Sequence, residues 1–176
     1  MSEIIPHNST VVIAAHGAPA TNYPAWRVGL LMALEFSGLA VERIGFLRGW
    51  RERLDHEVRA WPRTAANDPY KAAVDELAAR LAARIGWRTL VGYNEFCAPT
   101  IAEAIDHAVA EGAAQIIVAP TMLLRGNQHT EAEISAIVAE SRKRHPLAII
   151  RYAWPFDDDR VVSLFVEHIL ANGEKC

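Results

Sequence analysis

The chain has 176 residues, 51% apolar and 22% charged, with a net charge of −3. This is enough sequence to bury one real core and too apolar for disorder, and the slightly negative charge gives no field that recruits nucleic acid. The apolar runs are too short to span a bilayer, no secretory signal precedes the first strand, and Cys97 and Cys176 form no short-spaced pair. A reduced, cytoplasmic, soluble protein without a membrane partner is therefore expected.

Strand and helix alternate over most of the length, the pattern of a parallel sheet covered on both faces. The run Thr10-Val-Val-Ile-Ala-Ala15 reads as the first strand and delivers His16 at its end. Pro24 to Ser37 is apolar enough for a helix with a buried face, and the Arg-rich stretch from Glu42 to Trp61 reads as a second helix. Both fall in an insertion of about 21–68, roughly twice the length of a simple βαβ crossover, which is expected to fold over the strand ends as a lid. Asn67-Asp68-Pro69 opens the next helix, with Asp68 as N-cap and Pro69 at the first position, running to about Ile85.

The second strand, Thr89 to Tyr93, delivers Glu95, and Pro99 to Glu111 reads as a helix that ends near Gly112. Gln115-Ile-Ile-Val-Ala-Pro-Thr121 is the third strand and leads into the loop that carries His129. Thr130 with Glu133 three residues on has the form of a capping box, so a helix is expected from just after His129 to about Arg144. Leu147 to Ala153 is the fourth strand and Arg160 to Ala171 the final helix. Right-handed crossovers then give a single doubly wound, flavodoxin-like α/β domain over 1–176: a four-stranded parallel sheet flanked by helices, with a helical insertion after strand one.

In an open α/β sheet the side chains at the carboxyl ends of neighbouring strands converge on one crevice. His16, Glu95 and His129 all sit at that edge, and two imidazoles with a carboxylate can hold a divalent metal or move protons. Gly17 lets the chain turn after His16 and leaves space in front of the imidazole. Glu95 follows a fully apolar strand, a costly place for a carboxylate unless it faces a crevice or a partner. Taken one at a time, each has a plainer reading: a strand-end histidine held for structural reasons, a carboxylate emerging into solvent, an exposed loop histidine. His7, His56, His107, His145 and His168 lie away from this edge and read as surface residues.

Arg125 is placed to meet a carboxylate-bearing ligand in the crevice, and Arg27, Arg48 and Arg51 could do so from the lid. Trp26, Trp50 and Trp61 could lie against a flat aromatic ligand, although packing of the lid is the expected role of at least two of them. Cys97 reads as a small buried residue at a helix entry. Neither Gly-x-Gly-x-x-Gly, nor a Walker pattern, nor Gly-x-Ser-x-Gly occurs, which argues against nucleotide-dependent and acyl-transfer chemistry.

An apolar strand ending in His16-Gly17, then Tyr93-Asn-Glu95-Phe-Cys-Ala-Pro99-Thr-Ile101, then Val118-Ala-Pro120-Thr-Met-Leu-Leu-Arg-Gly126-Asn-Gln-His129-Thr-Glu-Ala-Glu133-Ile134, resembles the sirohydrochlorin chelatase family of class II chelatases. The family pattern maps onto His16, onto Glu95 with Pro99, and onto Pro120, Gly126, His129 and Glu133. The sequence departs from it at Ala18, where the family often has serine, and in the length of the stretch from Thr21 to Asp68. The resemblance implies insertion of Co²⁺, Fe²⁺ or Ni²⁺ into sirohydrochlorin or a related polycarboxylated tetrapyrrole, with the metal as substrate and no permanently bound cofactor. It also implies a homodimer, with His16, Glu95 and His129 as catalytic and metal-holding residues and Arg125 and Gly126 beside the ring. The alternatives are a non-catalytic carrier or sensor of metal or tetrapyrrole, and a chelatase acting on a porphyrin of the haem pathway.

Overall fold

The computed structural model describes residues 8–37 and 44–173. His7, Cys176 and the start of the Arg-rich stretch at Glu42 lie outside the described residues. In chain order the elements are β1 (Ser9–Ala15), α1 (Ala25–Phe36), α2 (Gly45–Ala60), α3 (Pro69–Ile85), β2 (Arg88–Tyr93), α4 (Ile101–Ala110), β3 (Gln115–Pro120), a π-helical turn (His129–Ile134) running into α5 (Ser135–Arg144), β4 (Ile149–Tyr152) and α6 (Asp158–Gly173).

The four strands are parallel in the order β2-β1-β3-β4. The chain leaves β1 toward β2 on one side and then crosses to β3 on the other, so the topological switch point lies between β1 and β3, where open α/β sheets bind ligands. Because β1 has a neighbour on each edge and a layer on each face, all seven of its residues are buried. Val12 and Ala14 pack with Ile116, Val118 and Ile150 under α4 and α5, and Val11, Ile13 and Ala15 pack under Val74 and Ala78 of α3. Gly92 lets α4 lie directly on β2, since a Cβ there would sit 2.6 Å from the Ile101 Cα.

The start of α3 is as the sequence predicts: Asp68 accepts from the Lys71 amide at 2.8 Å and Pro69 occupies the first turn. The expectation for Thr130 and Glu133 is overturned. Thr130 is fully buried and its hydroxyl donates to the Asn127 carbonyl at 3.1 Å, while the π-helical turn has no side-chain cap. Glu133 is drawn away to His129 and Asn94. The capping box belongs instead to Thr100 and Glu103 at the head of α4.

The insertion builds its own apolar cluster from Tyr23, Leu31, Leu34, Leu54 and Val58, closed on the rest of the chain by Phe96. Two arginines fasten it there. Arg63, with a side chain only 8% exposed, pairs with Asp68 at 2.6 Å and donates to the carbonyls of Ala18, Val58 and Phe96. Arg59 donates to the carbonyls of Asn94 and Cys97, each at 3.1 Å. Trp61 packs edge-on against Tyr23, but Trp26 and Trp50 are 67% and 44% exposed. Only one of the three tryptophans therefore packs within the insertion, the other two lining a groove of about 170 Å³ formed by α1 and α2.

Candidate metal centre

Three chain segments deliver the site. β1 ends in His16, and its ladder with β2 continues past the sheet, with the Asn94 amide bonded to the Ala15 carbonyl and the Glu95 amide to the His16 carbonyl, each at 2.8 Å. Gly17 (φ +93°) is required at the turn, because a Cβ there would collide with the Glu95 carbonyl oxygen. Phe96, with φ +56°, is a strained position for a bulky residue. This kink divides three consecutive residues among different surroundings: Glu95 faces the crevice, Phe96 enters the insertion's apolar cluster and Cys97 enters the core beneath β1. The third segment is the π-helical turn carrying His129, a form concentrated at functional sites.

The sequence-predicted trio is brought together. His16 Nε2 lies 3.2 Å from His129 Nε2, and Glu95 oxygens lie 3.9 Å from His16 Nε2 and from His129 Nδ1. All three are half-buried and offer donor atoms within 4.8 Å of one another.

The outer bonds fix the imidazole tautomers. His16 Nδ1 donates to the Gly17 carbonyl at 2.7 Å, and His129 Nδ1 donates to Glu133 Oε2 at 2.8 Å. This assignment follows the hydrogen-bonding pattern and leaves the Nε2 lone pair of each ring free at close range, on rings set nearly perpendicular. Two lone pairs at that separation repel unless a proton or a cation lies between them. A first-row divalent ion held at about 2.0–2.1 Å by each nitrogen in tetrahedral geometry separates them by roughly 3.3 Å, close to the spacing present here.

Asn94 Nδ2 donates to Glu133 Oε2 at 2.6 Å. Burial raises the Glu133 carboxyl, but the hydrogen bonds from His129 and Asn94 together outweigh it and hold the group below the usual carboxylate range. The supporting anion thus stays charged where the imidazole needs it. Neither Asn94 nor this use of Glu133 was foreseen; the signal available was the His129-x-x-x-Glu133 spacing, which places both side chains on one face of a helical turn.

The remaining predicted residues sit farther out. Arg125 is exposed, 3.4 Å from Asp158 at the head of α6, so reaching a ligand in the crevice would surrender only a weak surface pair. Gly126 (φ +80°) turns the loop Met122 to Asn127, which lines a cavity of about 410 Å³ just before His129. Arg27 pairs with Glu57 and Arg48 with Glu52. Cys97 is buried, as expected. His56, His107 and His168 are exposed, whereas His145 is half-buried against Asp106 at 2.6 Å.

The family model described as CbiX matches residues 65–172, well over half of the chain, taking in Glu95 and His129 but not His16. A sirohydrochlorin ferrochelatase of Priestia megaterium is 30% identical over 80 residues, 45% of this chain and 30% of that protein. A sirohydrochlorin cobaltochelatase of Methanococcus aeolicus is 44% identical over 48 residues, 27% of this chain and 33% of that protein. The matches thus span about a third of the length of these curated relatives. Among solved structures, a putative cobalamin (vitamin B12) biosynthesis CbiX protein from Marinobacter aquaeolei VT8 superposes with a TM-score of 0.55 at 14% identity, covering 95% of this chain and 98% of that one, which shows a shared fold.

Proposed function

The chain belongs to the CbiX family, and from that premise we propose that it inserts a divalent metal, Co²⁺, Fe²⁺ or Ni²⁺, into sirohydrochlorin or a related polycarboxylated tetrapyrrole. The observation that carries the reading is the pair of Nε2 atoms, 3.2 Å apart, beside the Glu95 carboxylate. Insertion exchanges two pyrrole N–H protons for one cation, so a catalyst must present the metal, accept protons and release the ion into the ring. Imidazole and carboxylate donors suit these metals, and three donors bind weakly enough for transfer.

In this reading His16 and His129 hold the incoming ion through Nε2, and Glu95 completes the site or takes up the displaced protons. Glu133 and Asn94 keep His129 in the tautomer that presents Nε2. Arg125, with Gly126 giving its loop the turn, pairs with a ring carboxylate. The insertion, about 21–68 of a single domain, acts as a lid that shields the ring. The protein works as a cytoplasmic homodimer without nucleotide or permanent cofactor.

An anaerobic absorbance assay with sirohydrochlorin and Co²⁺ or Fe²⁺ tests the proposal. Multiple turnovers above the uncatalysed rate, lost in His129→Ala and in a normally folded His16→Ala, are expected. Tight stoichiometric binding without acceleration would replace the enzyme by a carrier or sensor. The exposed Trp26 and Trp50 favour one further substrate, a less carboxylated porphyrin of the haem pathway, and turnover with that ring in place of sirohydrochlorin would select it.

A further inference from the structure

Glu95 is aimed by a demanding piece of backbone. The Cys97 amide donates to the Glu95 carbonyl at 2.6 Å across Phe96, whose φ is +56°, so Glu95, Phe96 and Cys97 form a γ-turn of the rare, strained kind. Among the described residues no hydrogen bond holds the carboxylate itself, which lies 3.9 Å from His16 Nε2 and from His129 Nδ1. Its direction is therefore set by the turn beneath it.

The amides of Asn94 and Glu95 are tied to the end of β1, whereas the carbonyls of the turn are held from the insertion. Arg59, in the last turn of α2, spans it: Nη2 donates to the Asn94 carbonyl just before the turn and Nη1 to the Cys97 carbonyl at its end, each at 3.1 Å. Arg59 Nε donates to both oxygens of Asp55, one helical turn earlier, at 2.8 and 2.9 Å, which fixes the plane of the guanidinium. Arg63 donates to the Phe96 carbonyl between them. With the Cys97 amide on Glu95, each carbonyl from Asn94 to Cys97 has a donor, as buried backbone requires. Strained backbone persists only where its surroundings over-determine it, and here the surroundings are two arginines.

We propose that Arg59 is a positioning residue of the metal centre: braced by Asp55, it holds the turn so that the Glu95 carboxylate stays beside the two imidazoles. The insertion then frames the site rather than merely covering it. The inference rests on the role given to Glu95 in the preceding subsection. Arg63 supports the same turn, but it also pairs with the buried Asp68 and holds the carbonyls of Ala18 and Val58, so its loss would disturb the fold more widely. Among the described residues Arg59 bonds only to Asp55 and to the turn, which lets its effect on the site be measured separately.

The test is calorimetric titration of Co²⁺ alone into the full chain as wild type, Arg59→Lys, Glu95→Gln and the double variant. Lysine keeps the charge, but as a point donor it cannot span two carbonyls. Arg59→Lys and Glu95→Gln are each expected to weaken Co²⁺ binding about tenfold. The double variant should match Glu95→Gln within about twofold, because the arginine acts only through that carboxylate. The visible absorption of bound Co²⁺ should change alike in both single variants. Thermal melts verify folding, and if Arg59→Lys does not fold, Asp55→Asn, which loosens the guanidinium, takes its place with an expected loss of about threefold that again vanishes beside Glu95→Gln. Unchanged Co²⁺ affinity in whichever variant folds, or losses that add in the double variant, would overturn the positioning role and leave the metal centre standing. Full affinity in Glu95→Gln would overturn the role of Glu95 and the positioning of it together.

Discussion

Replacing Glu133 by Gln should weaken divalent metal binding without unfolding the protein. The 2.8 Å bond from His129 Nδ1 ends on a carboxylate that also accepts from Asn94. A hydrogen bond to a charged group contributes about 1.5–3 kcal/mol, against about 0.5–1.5 for a neutral one. A glutamine oxygen would keep a neutral bond, so the loss is about 1–1.5 kcal/mol, close to tenfold in affinity. Glu133→Ala removes the acceptor altogether, frees the imidazole to present either tautomer and should approach the roughly 100-fold upper end for outer partners of metal-bound histidines. Calorimetric titration of Co²⁺ into wild type and both variants measures this, with thermal melts to verify folding. Equal Co²⁺ affinity in wild type and Glu133→Ala would refute the claim that the outer carboxylate prepares His129.

Three further outcomes are expected. Arg63→Ala leaves Asp68 as a buried, unpaired carboxylate and three carbonyls without their donor, so denaturant melts should show a loss of about 3–5 kcal/mol. Burial raises the Asp106 carboxyl, yet bonds from Arg144 and His145 together depress it below its ordinary value. The stabilisation is accordingly present above the unfolded pKa of about 3.9 and disappears as pH falls through the lower folded value, so Asp106→Asn should be less stable at pH 6 and match the wild type in strong acid. Burial pushes the Cys97 thiol up, and mass spectrometry should find it alkylated by iodoacetamide only after unfolding.

The sheet was legible in the sequence because each strand is an apolar run bounded by turn residues, and His16, Glu95 and His129 were legible because all three close such runs. What could not be read depends on contacts between distant segments. Arg59 looks like a solvated helix charge and Arg63 like a solvated loop charge until the carbonyls of Asn94, Phe96 and Cys97 are placed beside them. Thr130 and Glu133 have the same spacing as Thr100 and Glu103, yet only the second pair caps a helix; in the first, the ring of His129 and the amide of Asn94 compete for the carboxylate and prevail. Trp26 and Trp50 carry no sequence mark that separates them from Trp61, which side of a helix faces the core being a matter of packing.

The ladder that runs on past the sheet sets a mechanical asymmetry in the site. His16 and Glu95 are bolted to adjacent strands through amides at 2.8 Å, whereas His129 stands outside the sheet on a turn anchored by the fully buried Thr130 and Ile134. A change that loosens the edge shared by β1 and β2 would therefore displace two of the three donors together, and one in the turn only the third.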